Sequence, residues 1–305
     1  MPLGSSQCPS HSGDVMDHSL IAAIASKLNV SPAELEVQSW REGRIVCHAR
    51  SRHGYLVAKA STVPGAFDQE AHAMRVLKCI GIPVSDLFAF ETGPPALLVA
   101  TWAHGHPINS TSDTATLREA GSILRRIHQM PATPPYSGVA TLQEWIQGWF
   151  NTVMSWWIDV DDRASNLESS CIEWMQTVRS VLGGRSGSQI LFDGRPEHFI
   201  VDDDGKLRLI DVADLQSGDP AMDVAVLELG APGILTHVLE GYAPTNEESR
   251  SFEILVLFYI FLRAVSAAEW QTRMLNDEVG ARHFLDRALA TASGHRRLSG
   301  PGGQE

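Results

Sequence analysis

The sequence predicts a two-lobed α+β fold, and three patterns carry that prediction. Up to Thr101 the chain reads as three short β-type runs, one helix and two more β-type runs. Beyond Thr101 the apolar residues recur with helical period, most clearly from Thr114 to Met130. A short β insertion, Gln189 to Asp211, interrupts those helices. A β-rich front part followed by a mainly helical remainder is an α+β plan with segregated elements.

The elements follow in order. Ser19 to Leu28 has helical periodicity, and Ser31-Pro32-Ala33-Glu34 offers a cap with proline in the first turn. Leu35 to Trp40, Arg44 to Arg50 and Tyr55 to Ala60 read as an antiparallel meander, turned at Gly43 and at Ser51-Arg52-His53-Gly54. Phe67 to Ile80 is a helix ended by Gly81, and Pro83 to Phe90 and Ala96 to Thr101 are the next strands. Leu142 to Trp157 and Ser170 to Leu182 are helices, Asp203-Asp204-Gly205 is a hairpin turn, and helices resume at Ala221. The pattern divides into residues 18–102, an N-lobe, and residues 103–292, a C-lobe. Residues 1–17 read as a disordered lead-in and the glycine-rich residues 293–305 as an unstructured tail.

Composition removes several classes of function. The net charge of −12 argues against nucleic acid as a partner and is compatible with a cationic substrate. No apolar run approaches the roughly 18–20 residues that span a bilayer, so no membrane partner is expected. The most apolar stretch, Ile254 to Val265, is short and contains Arg263, which favours a buried helix. Residues 1–17 lack the apolar core of a secretory signal. Cys8, Cys47, Cys79 and Cys171 have no knuckle or redox spacing, which suits reduced thiols in a cytoplasm. There is no Gly-x-Ser-x-Gly elbow, and His104 and His106 have no third ligand spaced to join them, so neither a serine hydrolase nor a zinc enzyme is supported.

The most specific stretch runs Ile190-Leu191-Phe192-Asp193-Gly194-Arg195-Pro196-Glu197-His198-Phe199-Ile200-Val201, followed by Leu209-Ile210-Asp211. An acid in a loop is followed five positions later by a metal-ligand candidate, then a hairpin and a second acid. Phosphoryl transfer uses such parts: one carboxylate orients or deprotonates the attacking hydroxyl, and others hold the cation that neutralises the phosphates.

This segment resembles the catalytic loop and metal-binding Asp of the aminoglycoside and macrolide phosphotransferases, which share the protein-kinase fold. The later Gly218-Asp219-Pro220-Ala221-Met222-Asp223-Val224-Ala225 resembles the same family's Gly-Asp-Pro motif. The resemblance makes Asp193 the catalytic Asp and puts His198 and Asp211 at the metal positions. Asp219 and Asp223 become structural acids near a helix start. Two departures stand out: Leu191-Phe192 replace the family's His-Gly, and His198 replaces an Asn where hard oxygen is the usual ligand.

The front lobe extends the resemblance. Leu56-Val57-Ala58-Lys59 is similar to the strand ending in the phosphate-binding lysine, and Glu70, eleven residues on, matches its partner acid, with Asp68 as a rival. Thr101 and Ala103 lie at the family's hinge, where backbone groups meet the base, with Trp102 read as packing and His104 and His106 as hinge surface. The loop Ser39 to Gly43 has one glycine and is not a P-loop; its amides, with Arg41 or Arg44, are candidates to meet phosphates. Arg125, Arg126 and His128 fall on the family's scaffold helix and are given no chemistry.

The resemblance implies a small-molecule kinase that moves the γ-phosphate of ATP or GTP, with magnesium or manganese, to a hydroxyl of an antibiotic or similar metabolite, for resistance by inactivation. A nucleotide-binding pseudokinase and a metabolic kinase of choline, homoserine or sugar type stay open as alternatives. The chain would act as a monomer or homodimer. Five of its eight tryptophans fall within 145–174, so Trp157, Asp159 and Asp162 are the candidate acceptor contacts, with aromatic faces for a ring and carboxylates for a cationic group.

Overall fold

The computed structural model describes residues 18–41, 43–52, 54–132, 138–183 and 185–299. The predicted lead-in, residues 1–17, and the tail from residue 300 lie outside them, as do Glu42 and His53 of two predicted turns. The chain forms two compact units, Met1–Val76 with Ser85–Ala103, and Leu77–Val84 with His104–Glu305.

In the first unit, α1 (His18–Leu28) is followed by a one-turn helix, Pro32–Glu34, closed by a capping box between Ser31 and Glu34. The strands are β1 (Leu35–Arg41), β2 (Arg44–Ser51), β3 (Gly54–Ser61), β4 (Leu87–Glu91) and β5 (Ala96–Thr101), with α2 (Asp68–Cys79) between β3 and β4. They form one antiparallel sheet in the order β1-β2-β3-β5-β4. Side chains alternate across the pleat. Leu56, Ala58 and Ala60 of β3 join Ile45, Cys47 and Ala49 of β2 against Leu20, Ile24 and Leu28 of α1. Lys59 is therefore on the opposite face of β3.

The predicted strand from Pro83 begins later, at Leu87. Proline has no amide for a ladder. Instead the Pro83 carbonyl accepts from the Leu209 amide at 2.7 Å, and Val84 bridges Leu209 in parallel, both within the second unit.

The second unit contains β6 (His106–Pro107), α3 (Thr114–His128), α4 (Leu142–Val160), α5 (Glu168–Leu182), β7 (Ser188–Ile190), β8 (Phe199–Val201), β9 (Leu207–Leu209) and β10 (Gln216–Gly218). Then come α6 (Ala221–Gly230), α7 (Leu235–Tyr242), α8 (Asn246–Trp270) and α9 (Glu278–Ser299). Three helices begin at side-chain caps: Asp113 for α3, Thr141 with Glu144 for α4, and Thr245 with Glu248 for α8. The loop that follows β7 returns through the hairpin β8–β9, with β6 beside β8, while β10 pairs with β7.

The core is built on α8. Phe258 and Phe261 are fully buried and meet Trp174 and Trp157 with ring centroids 5.2 Å apart in both the Trp174–Phe258 and Trp157–Phe261 pairs. The span Asn246–Leu275 is long and apolar enough to cross a bilayer by length and composition, yet 61% of its apolar window is buried inside the protein. Arg263 sits within it. The predicted tail is corrected at its start: α9 continues through Ser293 to Ser299. That stretch holds a single glycine, Gly294, and the Gly-Pro cluster begins only at Gly300.

Helices α3 and α7 cross where two glycines face backbone. A methyl added at Gly121 would overlap the Val238 carbonyl, and one added at Gly241 would overlap the Arg118 carbonyl. This approach sets Tyr242 beside His128. Gly241→Ala should therefore cost about 1–3 kcal/mol from overpacking, although alanine is the better helix former. An unchanged urea midpoint would show that the crossing is looser than drawn.

Candidate active site

Within the first unit, Lys59 and Glu70 meet. The Nζ of Lys59 is 2.7 Å from Glu70 Oε1, and both side chains are mostly buried. Glu70 lies in the first turn of α2, with its second oxygen, Oε2, buried and without a hydrogen bond in the described structure. The rival Asp68 is exposed. At the end of β5, the Thr101 amide donates to the Asp86 carbonyl at 2.9 Å and its hydroxyl accepts from the Asp86 amide at 2.8 Å. Ala103 is buried two residues on. Arg44 lies over the Phe67 ring, 5.1 Å from its centroid, while Arg41 is exposed.

In the second unit, the loop after β7 is held from below by Asp223 of α6. This carboxylate is fully buried. Its Oδ2 accepts from the Leu191 amide at 2.8 Å and its Oδ1 from the Phe192 amide at 2.9 Å. His128 Nε2 is 3.0 Å from the same Oδ2, and His128 Nδ1 is 3.1 Å from the Tyr242 hydroxyl. Asp223 thus acts on a distant loop and not on its own helix start. Asp219 does the capping: its Oδ1 accepts from the Ala221 amide at 2.8 Å, and its Oδ2 pairs with Arg185 at 2.8 Å.

Phe192 has φ +62°, a left-handed backbone that costs a non-glycine residue about 1–2 kcal/mol. The Asp223 contact offsets this, as does packing of its ring. Trp145 and Trp149 lie 6.0 and 6.2 Å away between centroids, and the Arg263 guanidinium stands 4.8 Å above the ring. Trp149 is itself tied to α8 by a bond from Nε1 to the Ser266 hydroxyl at 2.9 Å.

Asp193 follows at once. Its Oδ1 accepts from Arg263 Nη2 at 3.1 Å, and its Oδ2 lies 3.1 Å from Arg195 Nη2. Its backbone carbonyl accepts from His198 Nδ1 at 2.7 Å, which fixes the tautomer and directs Nε2 the other way. That Nε2 lies 3.3 Å from Arg195 Nη2 and 3.8 Å from Asp211 Oδ2. Asp211 has φ +51° and a half-exposed side chain. Asp214 completes the acidic group: partial desolvation, then the carboxylates of Asp193 and Asp211, raise its carboxyl above the ordinary range. Burial lowers the Arg263 guanidinium, opposed by Asp193, Asp223 and Asp214.

The predicted metal pair, His198 and Asp211, can be tested on its donors. His198 Nε2 and Asp211 Oδ2 converge closely enough for one ion to touch both. No group of three or more His, Cys, Asp or Glu side chains among the described residues forms a complete cage. Magnesium ordinarily takes one or two carboxylates and completes its shell with phosphate oxygens and water. The residues fit such a partly filled shell, with Arg195 at the Nε2 edge to be displaced.

The predicted acceptor contacts are not gathered at this site. Trp157 is fully buried against Phe261 and belongs to the core. Asp159 is exposed at the far end of α4, about 15 Å along the helix from Trp149 at 1.5 Å per residue, and Asp162 is exposed just beyond that end. Between them Asp161 turns inward to Arg163, which holds its carboxyl below the usual range through bonds of 2.8 Å and also reaches Asp286. The tryptophans against Phe192, the residue before Asp193, are Trp145 and Trp149, nearer the other end of α4. Arg263 and Arg195 were also absent from the predicted set. For Arg263 a signal existed, since one cation inside the most apolar run requires a buried partner.

A family model described as the phosphotransferase enzyme family matches residues 46–247. The chain belongs to that family. Among solved structures, it is similar to macrolide 2'-phosphotransferase MphH from Brachybacterium faecium, with 16% identity and a TM-score of 0.59, over 90% of this chain and 98% of the other. It is also similar to a thermostable mutant of aminoglycoside phosphotransferase APH(4)-Ia in a ternary complex with ADP and hygromycin B, at 14% identity and TM-score 0.66, over 92% and 99%. Choline kinase LicA from Streptococcus pneumoniae is a third, at 17% and 0.61, over 92% and 99%. At such identities the likeness is one of fold, and the fold is the α+β, protein-kinase-like one that the sequence predicts. No curated protein matches the chain.

As a member of this family, the protein places its matched segment across both Lys59 and Asp211. The support under the Leu191–His198 loop is open to a direct test. Asp223→Ala leaves two buried amides and His128 without their acceptor and should cost about 3–5 kcal/mol by chemical denaturation. Asp223→Asn keeps one acceptor oxygen and should fall between. Equal midpoints for wild type and Asp223→Ala would mean that the loop stands without this carboxylate.

Proposed function

We propose that this phosphotransferase moves the γ-phosphate of a nucleoside triphosphate, ATP or GTP, onto a hydroxyl of a small molecule. The observation that carries the reading is the Asp193 carboxylate, anchored on one oxygen by Arg263 beside the converging His198 and Asp211. In the first unit the Lys59–Glu70 pair supplies an aimed ammonium for phosphate oxygens, and Thr101 and Ala103 offer backbone groups to the base.

The steps balance. Asp193 Oδ2 accepts the proton of the acceptor hydroxyl, whose oxygen forms the new bond to the γ-phosphorus. The bond from that phosphorus to the bridging oxygen breaks, and the nucleoside diphosphate leaves with the electron pair. Arg195 must first give up Oδ2. Being exposed on the loop, it is free to turn toward phosphate. Asp211 and His198 would hold a magnesium or manganese ion, which neutralises charge on the phosphates.

Hygromycin B in one neighbour, and the macrolide and choline activities named for others, support a small hydroxylated acceptor. Half-buried Trp145 and Trp149 near Asp193 favour one with a ring. An antibiotic acceptor with inactivation as the result, in a cytoplasm, is the reading we favour over a choline-type metabolite, because the carboxylates first suggested for a cation lie at the wrong end of α4. A second reading, nucleotide binding without transfer, is favoured by Arg195, which stands between Oδ2 of Asp193 and Nε2 of His198.

A panel of hydroxylated antibiotics and metabolites, assayed for magnesium-dependent release of nucleoside diphosphate, separates these readings. Asp193→Ala should cut turnover by about 10²–10⁴ while nucleotide still binds. Asp211→Ala should abolish the metal dependence of nucleotide binding. Wild-type rates in Asp193→Ala would remove the proposed base. His198→Asn should shift metal preference from manganese toward magnesium, and superimposed metal titrations would exclude His198 as a ligand.

A further inference from the structure

Arg263 is a cation buried in the middle of the most apolar helix, α8, and it has two contacts of different kinds. One guanidinium nitrogen donates to Asp193 Oδ1 at 3.1 Å. The guanidinium plane also lies over the Phe192 ring, 4.8 Å from its centroid. Phe192 is the residue immediately before Asp193, and its left-handed φ of +62° is what presents the ring to α8. The ring is hemmed in by Trp145 and Trp149 of α4, and Trp149 is bonded to Ser266, three residues beyond Arg263 on α8.

We propose that Arg263 is a positioning residue for Asp193 and that Phe192 is its seat. The inference rests on Asp193 being the base. A phenylalanine is poorly suited to this backbone conformation, and glycine would be better. What it adds is a face for the guanidinium. The stack prevents Arg263 from rotating, so one carboxylate oxygen is held by a fixed donor. Among the described residues the other oxygen is paired with Arg195 alone, whose side chain is 52% exposed against 19% for Arg263. The two oxygens are thereby made unequal: Oδ1 is permanently occupied, and Oδ2 is the one released to the acceptor hydroxyl. Asp223 and Asp214 also attract the Arg263 charge, and Arg195 repels it.

Hydrolysis of magnesium ATP and magnesium GTP, with water as the acceptor, measures kcat and the nucleotide KM separately. Arg263→Met should lower kcat by about 10- to 100-fold, the scale of a misplaced reacting group. Nucleotide KM should stay within about twofold, because the loss is confined to the transition state. Arg263→Lys should recover part of the loss. Phe192→Gly suits the backbone, so it should fold and still lose kcat. The double variant Phe192→Gly/Arg263→Met should be no slower than Arg263→Met alone. Losses that multiply, or an unchanged kcat in Arg263→Met, would overturn the proposal. Urea midpoints of Asp193→Asn, Arg263→Met and their double variant read the same contact without turnover. Midpoint shifts that fail to add support the pairing, and additive shifts overturn it. If the wild type neither hydrolyses nor transfers phosphate, the phosphotransfer reading fails, while the midpoints still decide whether Arg263 holds Asp193.

Discussion

Asp223 is a buried carboxylate with three partners, and the geometry of the second unit is arranged around satisfying it. The amides of Leu191 and Phe192 and the ring of His128 converge on one carboxylate that has no access to water. An isolated buried carboxylate would be costly by several kcal/mol, so each donor is fixed by the need to remain there. His128 is fixed in turn by Tyr242, which the glycine crossing of α3 and α7 brings close. The loop cannot slide without orphaning an amide. Asp193, the next residue along, inherits that rigidity.

Much of the molecule is legible in the sequence, and what escapes does so for identifiable reasons. The meander is legible because β-type runs alternate with turn residues at Gly43 and Gly54. Lys59 and Glu70 are found because one strand and one helix turn fix their separation. The strand Gln216–Gly218 is invisible to propensity: it has no β-branched or aromatic residue and exists because β7 offers it a partner. Asp223 looks like a helix cap because spacing reports only its own helix, whereas its partners Phe192, Leu191 and His128 lie 31, 32 and 95 residues earlier in the chain. The tryptophan cluster divides in space: Trp157 and Trp174 pack in the core, while Trp145 and Trp149 lie against Phe192. A helix of nineteen residues exposes different neighbours at its two ends, and only the first turns of α4 reach the loop.

The two departures from the family pattern are related in space. A phenylalanine replaces glycine at a left-handed position, and its ring is then used, by Trp145, Trp149 and Arg263. A histidine replaces asparagine, and its Nδ1 is used, by the Asp193 carbonyl. In both cases the larger side chain adds a contact to the segment around Asp193. Such substitutions are consistent with a site rebuilt with different parts, in which rigidity from side chains stands in for the compactness of His-Gly.

Trp149 gives the loop an optical label of its own. Its indole N–H is bonded to Ser266, its ring touches Phe192, and Phe192 is adjacent to Asp193. Indole emission responds to changes in polarity and hydrogen bonding within such a short range. Trp157 and Trp174, locked in the core, supply a steady background against which a change at Trp149 stands out. A molecule that entered beside Asp193 would then be read by the protein's own fluorescence, through Trp149 and its neighbour Trp145, with no dye attached and no residue replaced.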